Sequence, residues 1–477
     1  MRSQRTFKMF IIAGFLLRLA MLGAGVLEGQ APGQGAIPDT PSAHLLARVD
    51  GPAVPMTSSK KDTQTQASHR PVTRAQAEQI AIKNNPRVTV GHLLALAQHQ
   101  VVREVRAAEL PNASANLTAV DALDASRVSA GSLTASRLFE HAGAGVNLNQ
   151  LITDFGKTNN LVASSKLQEK AQNANALATT EDIVLETDRA FYSALQAQAL
   201  LDVVKQNVNA RQISDTQISE MTKNKLKSTL DLSFADVNLS EAKLLQLDAQ
   251  NNADSTMAAL DDLLGLDHLE IFDLVDDSTP LEPPAPDVDQ LTALALQQRP
   301  DYQAFEFEQE AAMRFGKAQR DQMLPSISAA GTVGTVPIRP GQQYYLYNWW
   351  GAIGVNMSIP IFNGFLYPAQ AREASIRTEI ATEEARALRD RIARDVRTSW
   401  LAANTAYQRV AVTAELLKQA NLGLSLAQTR YQMGLSSIVE LSQAQYQQTD
   451  AAIGNTNAQY QYRLALATLN YQTGTLP

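Results

Sequence analysis

Side chains of the kinds that most often carry catalysis are sparse in this chain. His92 and His99 stand seven apart and can share one helix face, but no carboxylate pair accompanies them. His44, His69, His141 and His268 are scattered, so the histidines read as surface or packing residues. The run AGAGV around Gly143 is glycine-rich, as a phosphate loop is. It leads into a strand pattern, whereas a phosphate loop opens a helix. There is no cysteine, which excludes disulfides, thiolate metal sites, thiol catalysis and a lipid-modified N-terminal Cys. The expectation is a protein that is not an enzyme, with no catalytic residue, no metal and no cofactor.

Composition points to packing instead. The 477 residues carry 41 Lys+Arg against 48 Asp+Glu, a formal charge of −7, which argues against a nucleic-acid partner. Hydrophobic residues make up 45% and aromatics only 6%. A core rich in alanine favours helices lying close on helices. Beyond the N-terminus no apolar run is long enough for a membrane-spanning helix.

The first 31 residues read as a signal peptide. Arg2, Arg5 and Lys8 precede the apolar stretch Met9 to Leu17, and small residues Gly23, Ala24 and Gly25 follow, with an ambiguous cleavage point. Residues 32–72, broken by Pro32, Pro38, Pro41, Pro52, Pro55 and Pro71, read as a disordered tether. A second proline-rich stretch, 276–288, separates two segments, 73–275 and 289–477, that repeat each other and form one joint domain.

The repeat holds its register over a long span. NNPRV, ending at Val88, is answered by QRPDY, ending at Tyr302, and Pro86/Pro111 and Pro300/Pro325 are spaced alike. From Gly145-Val146-Asn147 and Gly354-Val355-Asn356 onward, a constant offset of 209 pairs Asp154 with Asn363, Leu226 with Leu435, Ser228 with Ser437 and Gly265 with Gly474. This is a tandem duplication, too long for a solenoid unit.

Each copy carries two segments of period-two alternation. Ala113, Ala115, Leu117 and Ala119 alternate with polar residues, as do Ile327, Ala329, Gly331 and Val333. Trp349, Gly351, Ile353, Val355, Met357, Ile359 and Ile361 form the cleanest stripe, and Val146, Leu148 and Ile152 a weaker one. Strands of about 10 residues suffice to cross a bilayer at a tilt. A half-buried strand of a soluble sheet alternates in the same way. The aromatics Tyr344, Tyr345, Tyr347, Trp349 and Trp350 favour the membrane, because Tyr and Trp suit its interface with water. Four strands cannot close a barrel, so several chains must share one.

The rest reads as helix. From Asp154 to Thr222 there is no proline, a reach of about 100 Å if helical, and Asn363 to Gln432 repeats the design. Each long helix is followed by a return helix with two heptad stripes. One runs through Val439, Tyr446, Ile453, Tyr460 and Ala467, the other through Ala444, Ala451, Ala458 and Ala465. The first copy has Leu230, Val237, Leu244, Asn251 and Ala258 beside Ala235, Ala242, Ala249, Thr256 and Leu263. Two seams imply neighbours on both sides, as in the wall of a tube. Gln445, Gln447, Asn455 and Asn457 are then left for lumen and solvent. Trp400 reads as a packing residue.

The duplication, the VNLNQLITDFG and VNMSIPIFNGF strand-to-helix junctions and RYQMGLSSIVEL resemble the TolC-type outer-membrane efflux protein family, from about Thr73 to Gly474. The resemblance implies a mainly α fold with a small β part: a homotrimer whose 12-stranded β-barrel in outer-membrane lipid continues into a periplasmic α-helical barrel. It implies passive export, as the exit duct of an efflux or type I secretion system with a periplasmic adaptor and an inner-membrane pump. It places adaptor docking at Gly434, Leu435 and Ser436 and, by the repeat, at Lys225, Leu226 and Lys227. It places the periplasmic gate at Asp231 and Glu440. Gln443 stands where the family has a further acid and Ser436 where it has a basic partner. Asp231 and Glu440 also suit the first turn of a helix, and the lysines a solvated face. The contrasting reading is a secreted, filament-like helical protein without a pore.

Overall fold

The computed structural model describes residues 70–120, 127–130, 133–137, 141–265, 272–276, 280–338 and 349–476. All of these fall in one compact unit, 65–477. The expected signal peptide and most of the expected tether lie outside the described residues. The last three residues of that tether are instead a strand, β1 (Arg70–Val72), paired parallel with β6 (Phe272–Leu274). Val72 is held there by burial in a core with Ile183, Phe191, Leu260 and Leu264.

The duplication is visible as two copies of one plan. The first has α1 (Arg74–Asn84), α2 (Pro86–Arg106), β2 (Asn112–Val120), β5 (His141–Thr153), α3 (Lys157–Lys223) and α4 (Thr229–Leu264). The second has α5 (Val288–Gln298), α6 (Pro300–Asp321), β7 (Ser326–Ile338), β8 (Trp349–Ser358), α7 (Leu366–Gln432) and α8 (Ile438–Thr473). A short hairpin, β3 (Arg127–Ala130) with β4 (Leu133–Arg137), is inserted between β2 and β5 of the first copy; the stretch between β7 and β8, 339–348, lies outside the described residues. The long helices α3 and α7 have 67 residues each and the return helices α4 and α8 have 36 each.

Local chemistry fixes these boundaries. The long helices end in turns where Leu226 N–H donates to Met221 O and Leu435 N–H to Arg430 O, both 6→1 closures with a left-handed residue before them. Ser228 and Ser437 then cap the return helices, accepting from the N–H of Asp231 and of Glu440. Gly265 and Gly474, with φ of 63° and 68°, end them.

The duplicated X-Pro junctions are clasps on those ends. Asn84 and Asn85 donate to the carbonyls of Leu264 and Leu263 at 3.3 and 3.4 Å. In the second copy Arg299 donates to Gln472 Oε1 at 2.6 Å and forms a two-pronged pair with Asp301. A Cβ at Gly265 would press on Asn84, and one at Gly474 on Arg299 N at 3.1 Å, so each clasp needs its glycine.

Of the two stripes on each return helix, the alanine stripe packs within the chain: Ala235, Ala242 and Ala249 are buried in α4, and Ala451 and Ala458 in α8. The other is open at the turn end, where Leu230, Val237, Leu244, Val439 and Tyr446 are exposed. Three polar residues depart from the lumen-and-solvent reading. Gln445 is buried because the guanidinium of Arg211, itself buried on α3, needs acceptors, which Gln445 and Asn207 supply. Asn457 accepts from Gln196 at 2.8 Å and Asn455 from Thr413, so both tie helices together. Gln447 remains exposed.

The inter-repeat stretch is pinned by side chains. Tyr460 and Arg463 hold Asp276, Tyr462 donates to Glu282 O, and Trp400 Nε1 donates to Ala285 O at 2.7 Å. Trp400 is thus a clamp on that stretch.

Candidate functional site

The sheet runs β2-β5-β7-β8, antiparallel throughout, with β2 and β8 as free edges within the chain. Its register sorts the side chains by face. Across one row lie Ala115, Val146, Val333 and Gly351; across the next lie Ala113, Leu148, Gly331 and Ile353. Ser114, Asn147, Thr332 and Ala352 occupy a row of the opposite face, where Thr332 donates to Asn147 at 2.7 Å. One face is therefore apolar and the other mostly hydroxyl and amide.

The apolar face is uncovered. Trp349 is 70% exposed, Ile353 90% and Val355 70%, and the stripe continues past the strand to Ile361 at 94%. A half-buried strand of a soluble sheet hides this face, so the soluble-sheet reading does not describe β8. At about 3.3 Å per residue, the 13-residue β5 and β7 are long enough to cross a bilayer when tilted.

The two tryptophans divide between the faces. Trp349 is in line with Ile353 and Val355, while Trp350 lies on the polar face over Gly334, where a Cβ would meet its ring at 3.1 Å. In the row Gly145, Gly334, Trp350, the missing side chain of Gly334 leaves room for that ring. Tyr344, Tyr345 and Tyr347 lie outside the described residues.

The helical turns at the other end bring together the residues expected to dock and gate. Lys225, Leu226, Gly434 and Leu435 are exposed, Lys227 and Ser436 partly so. A shared core of Ile218, Ala235, Tyr431, Ile438 and Leu441 holds the two turns side by side. Lys227 lies over the Tyr431 ring, 3.8 Å from its centroid. Burial, with Asp231 nearby, pushes the Tyr431 phenol up to about 12.

The two expected gate acids do different work within the chain. Asp231 closes a capping box, accepting from the N–H and hydroxyl of Ser228 at 3.2 and 3.0 Å. Glu440 pairs with Arg430 at 3.3 Å. Neither Lys225 nor Lys227 pairs with an acid among the described residues; Arg430 supplies the counter-charge instead. Arg430 and Tyr431 escaped sequence reasoning although both stand in RYQMGLSSIVEL, because a residue in the last turn of a helix reads as solvated or packing. The hydroxyls of Tyr431 and Ser436 are buried without a hydrogen-bond partner among the described residues.

Among the described residues, three non-glycines adopt left-handed backbone: Phe155, Lys225 and Phe365, with φ of 56°, 58° and 65°. Each costs on the order of 1–2 kcal/mol relative to glycine. Phe155 and Phe365 sit in the strand-to-helix junctions, and Lys225 in the first turn.

Residues 291–475, the second copy, match the family described as outer membrane efflux protein. "Outer membrane protein TolC" of Vibrio cholerae is 22% identical over 344 residues, 70% of this chain and 76% of that protein. Among solved structures, a membrane protein from Pseudomonas aeruginosa has a TM-score of 0.72 at 22% identity, over 84% of this chain and 93% of that one. The open state of the Neisseria gonorrhoeae MtrE outer membrane channel has a TM-score of 0.70 at 18% identity, over 85% and 91%. The structural likenesses are likenesses of fold, and they point the same way as the sequence matches. The chain resembles TolC-type outer membrane efflux proteins, by sequence most clearly in its second copy and by fold over most of its length.

Proposed function

We propose that three copies of this chain form the passive exit duct of a tripartite efflux or type I secretion system. The uncovered apolar face of the sheet, backed by a polar face and bounded by two free edges, carries this reading. Unpaired strand edges are not tolerated in lipid, so β2 of one copy pairs with β8 of the next until the barrel closes. Three copies give a twelve-stranded barrel with hydroxyl and amide groups towards the lumen. The open stripe Leu230, Val237, Leu244 is then covered by a neighbouring copy, completing a helical barrel on the periplasmic side. The unpartnered hydroxyls of Tyr431 and Ser436 fit contacts made on assembly.

In this duct the turns at Lys225, Leu226 and Lys227 and at Gly434, Leu435 and Ser436 dock a periplasmic adaptor, and an inner-membrane pump supplies the energy. Asp231 and Glu440 gather around the axis as a periplasmic gate, with Arg430 as the counter-charge. Acids concentrated at a constriction favour cations. Trp349 marks the membrane interface, joined by Tyr344, Tyr345 and Tyr347, with Trp350 bracing the barrel from inside. The exposed β8 stripe weighs against a filament without a pore.

Native mass spectrometry of detergent-purified protein tests the assembly. A trimer is expected, and a stable monomeric pore overturns the shared barrel.

A further inference from the structure

The duplication makes one seam of the chain a template for another. Where the two copies meet, the return helix α8 of the second lies against the long helix α3 of the first. Among the described residues, four side-chain hydrogen bonds join them. Tyr471 donates to Asp182 at 2.5 Å, Arg189 to Thr468 at 3.4 Å, Gln196 to Asn457 at 2.8 Å, and Arg211 to Gln445. The offset of 209 carries this seam onto α7 and α4, and pairs Arg391 with Asp262, Thr398 with Ala259, Thr405 with Asp248, and Ala420 with Asp236.

These counterparts lie on open faces. Arg391, Thr398, Thr405 and Val412 form one heptad line on α7, and all four are exposed. On α4, Asp236, Asp248, Ala259 and Asp262 are exposed, as is Leu244 one turn before Asp248. The first counterpart reverses its template in size and charge. The long side chain moves from the return helix (Tyr471) to the long helix (Arg391), and the short acid moves from Asp182 to Asp262, so the same gap is spanned by an ion pair. Neither Arg391 nor Asp262 meets an opposite charge among the described residues. Asp262 also stands in the last turn of α4, where an acid opposes the helix dipole. It is kept there at a cost to its own helix.

We infer that Arg391 of one copy and Asp262 of a neighbouring copy form an ion pair that selects the order of helices around the ring. The inference rests on the proposed ring of three copies. The correct seam sets a cation against an acid. A seam between α4 and a neighbour's α3 sets Asp262 against Asp182, and this like-charge contact rejects the wrong order.

The chain has no cysteine, so a pair can be introduced without background. Arg391→Cys with Asp262→Cys, treated in detergent with a short bifunctional methanethiosulfonate, is expected to give a covalent species of three chains. Either substitution alone should give none. If the wild-type protein is trimeric but the double variant is not linked, or is linked only within one chain, the ion pair is overturned while the ring stands. A wild-type monomer removes the ring and the pair together.

Charge reversal supplies a second measurement. Asp262→Arg suits the end of its own helix but sets two cations face to face at every seam. It should shorten the half-life of the trimer in detergent roughly tenfold, and adding Arg391→Asp should restore it. An unchanged half-life in Asp262→Arg, or no recovery in the reversed pair, overturns the pairing.

Discussion

The two clasps solve one problem with different chemistry. In the first copy, Asn84 and Asn85 tie off α4 with neutral amide-to-carbonyl bonds. In the second, Arg299 ties off α8 through a buried guanidinium that also grips Asp301 and faces Tyr471, which in turn donates to Asp182 at 2.5 Å. Arg299 also reaches the backbone carbonyl of Gln472 at 3.4 Å, so both clasps touch the carbonyl end of a helix, where a cation gains from the dipole as well as from the bond. The comparison teaches that the duplicated proline fixes where the clasp sits, while the residue before it decides whether the clasp is sensitive to charge and pH.

The largest expected effect is at the charged clasp. Arg299→Ala leaves Asp301 without its partner and should cost on the order of 3 kcal/mol. Asn85→Ala, which removes one amide bond and the cap on Arg87 N–H, should cost about 1 kcal/mol. Urea midpoints in detergent measure both, and equal losses would erase the distinction between the clasps.

The turns offer the next contrast. Lys225→Gly relieves left-handed strain and should stabilise by about 1 kcal/mol, whereas Gly434→Ala introduces it and should destabilise by a similar amount. A destabilised Lys225→Gly would mean that its side chain contributes more than the strain costs.

The proposed gate acids should differ more modestly. Asp231→Ala loses a capping box, about 1 kcal/mol, while Glu440→Gln loses an exposed ion pair, about 0.5 kcal/mol. Planar-bilayer recording of the double alanine variant should show weakened cation preference, and unchanged permeability ratios would place both acids away from the conduction path.

The last effect is one of pH, confined to the charged clasp. Burial, with Asp301 and Asp182 opposing and Arg299 favouring its charge, pushes Glu181 up to about 7. The folded chain then holds this proton more tightly than the unfolded chain. The stabilisation is full below the ordinary value of 4.5 and is lost as pH rises towards 7. Because Glu181 is only half-buried, screening should keep the effect within about 1 kcal/mol. Glu181→Gln should raise the thermal midpoint at pH 8 and leave it unchanged at pH 4; a gain at both would assign the effect to packing.

The sequence made the plan legible wherever one segment carries its own period. The offset of 209 marks both long helices, both return helices and their terminal glycines, and alternation marks the four sheet strands. Partners distant in the chain were hidden. Gln445 reads as a lumen residue until Arg211 is seen beside it, and Arg430 offers no local sign that it answers Glu440. The face chosen by Trp350 follows from strand register, yet its seat on Gly334 depends on a strand pairing that no local pattern reveals. The first-turn position of Asp231, by contrast, is legible in the sequence, and Ser228 three residues before it supplies the cap.

The 67-to-36 proportion between long and return helices has a mechanical consequence. Helix ends are where the run of backbone hydrogen bonds stops, so they are the planes along which a stack of rods shears most easily. Here the clasped ends of α4 and α8 abut the unbroken middles of α3 and α7, as the joints in a brick course are bridged by the bricks above. No cut through the wall meets helix ends alone. The free arm beyond the clasp is about 54 Å long, so a tilt of about 5° there carries the tip roughly 5 Å sideways. Small adjustments at Arg299 or Asn85 are therefore magnified at the turns, while the wall between stays intact.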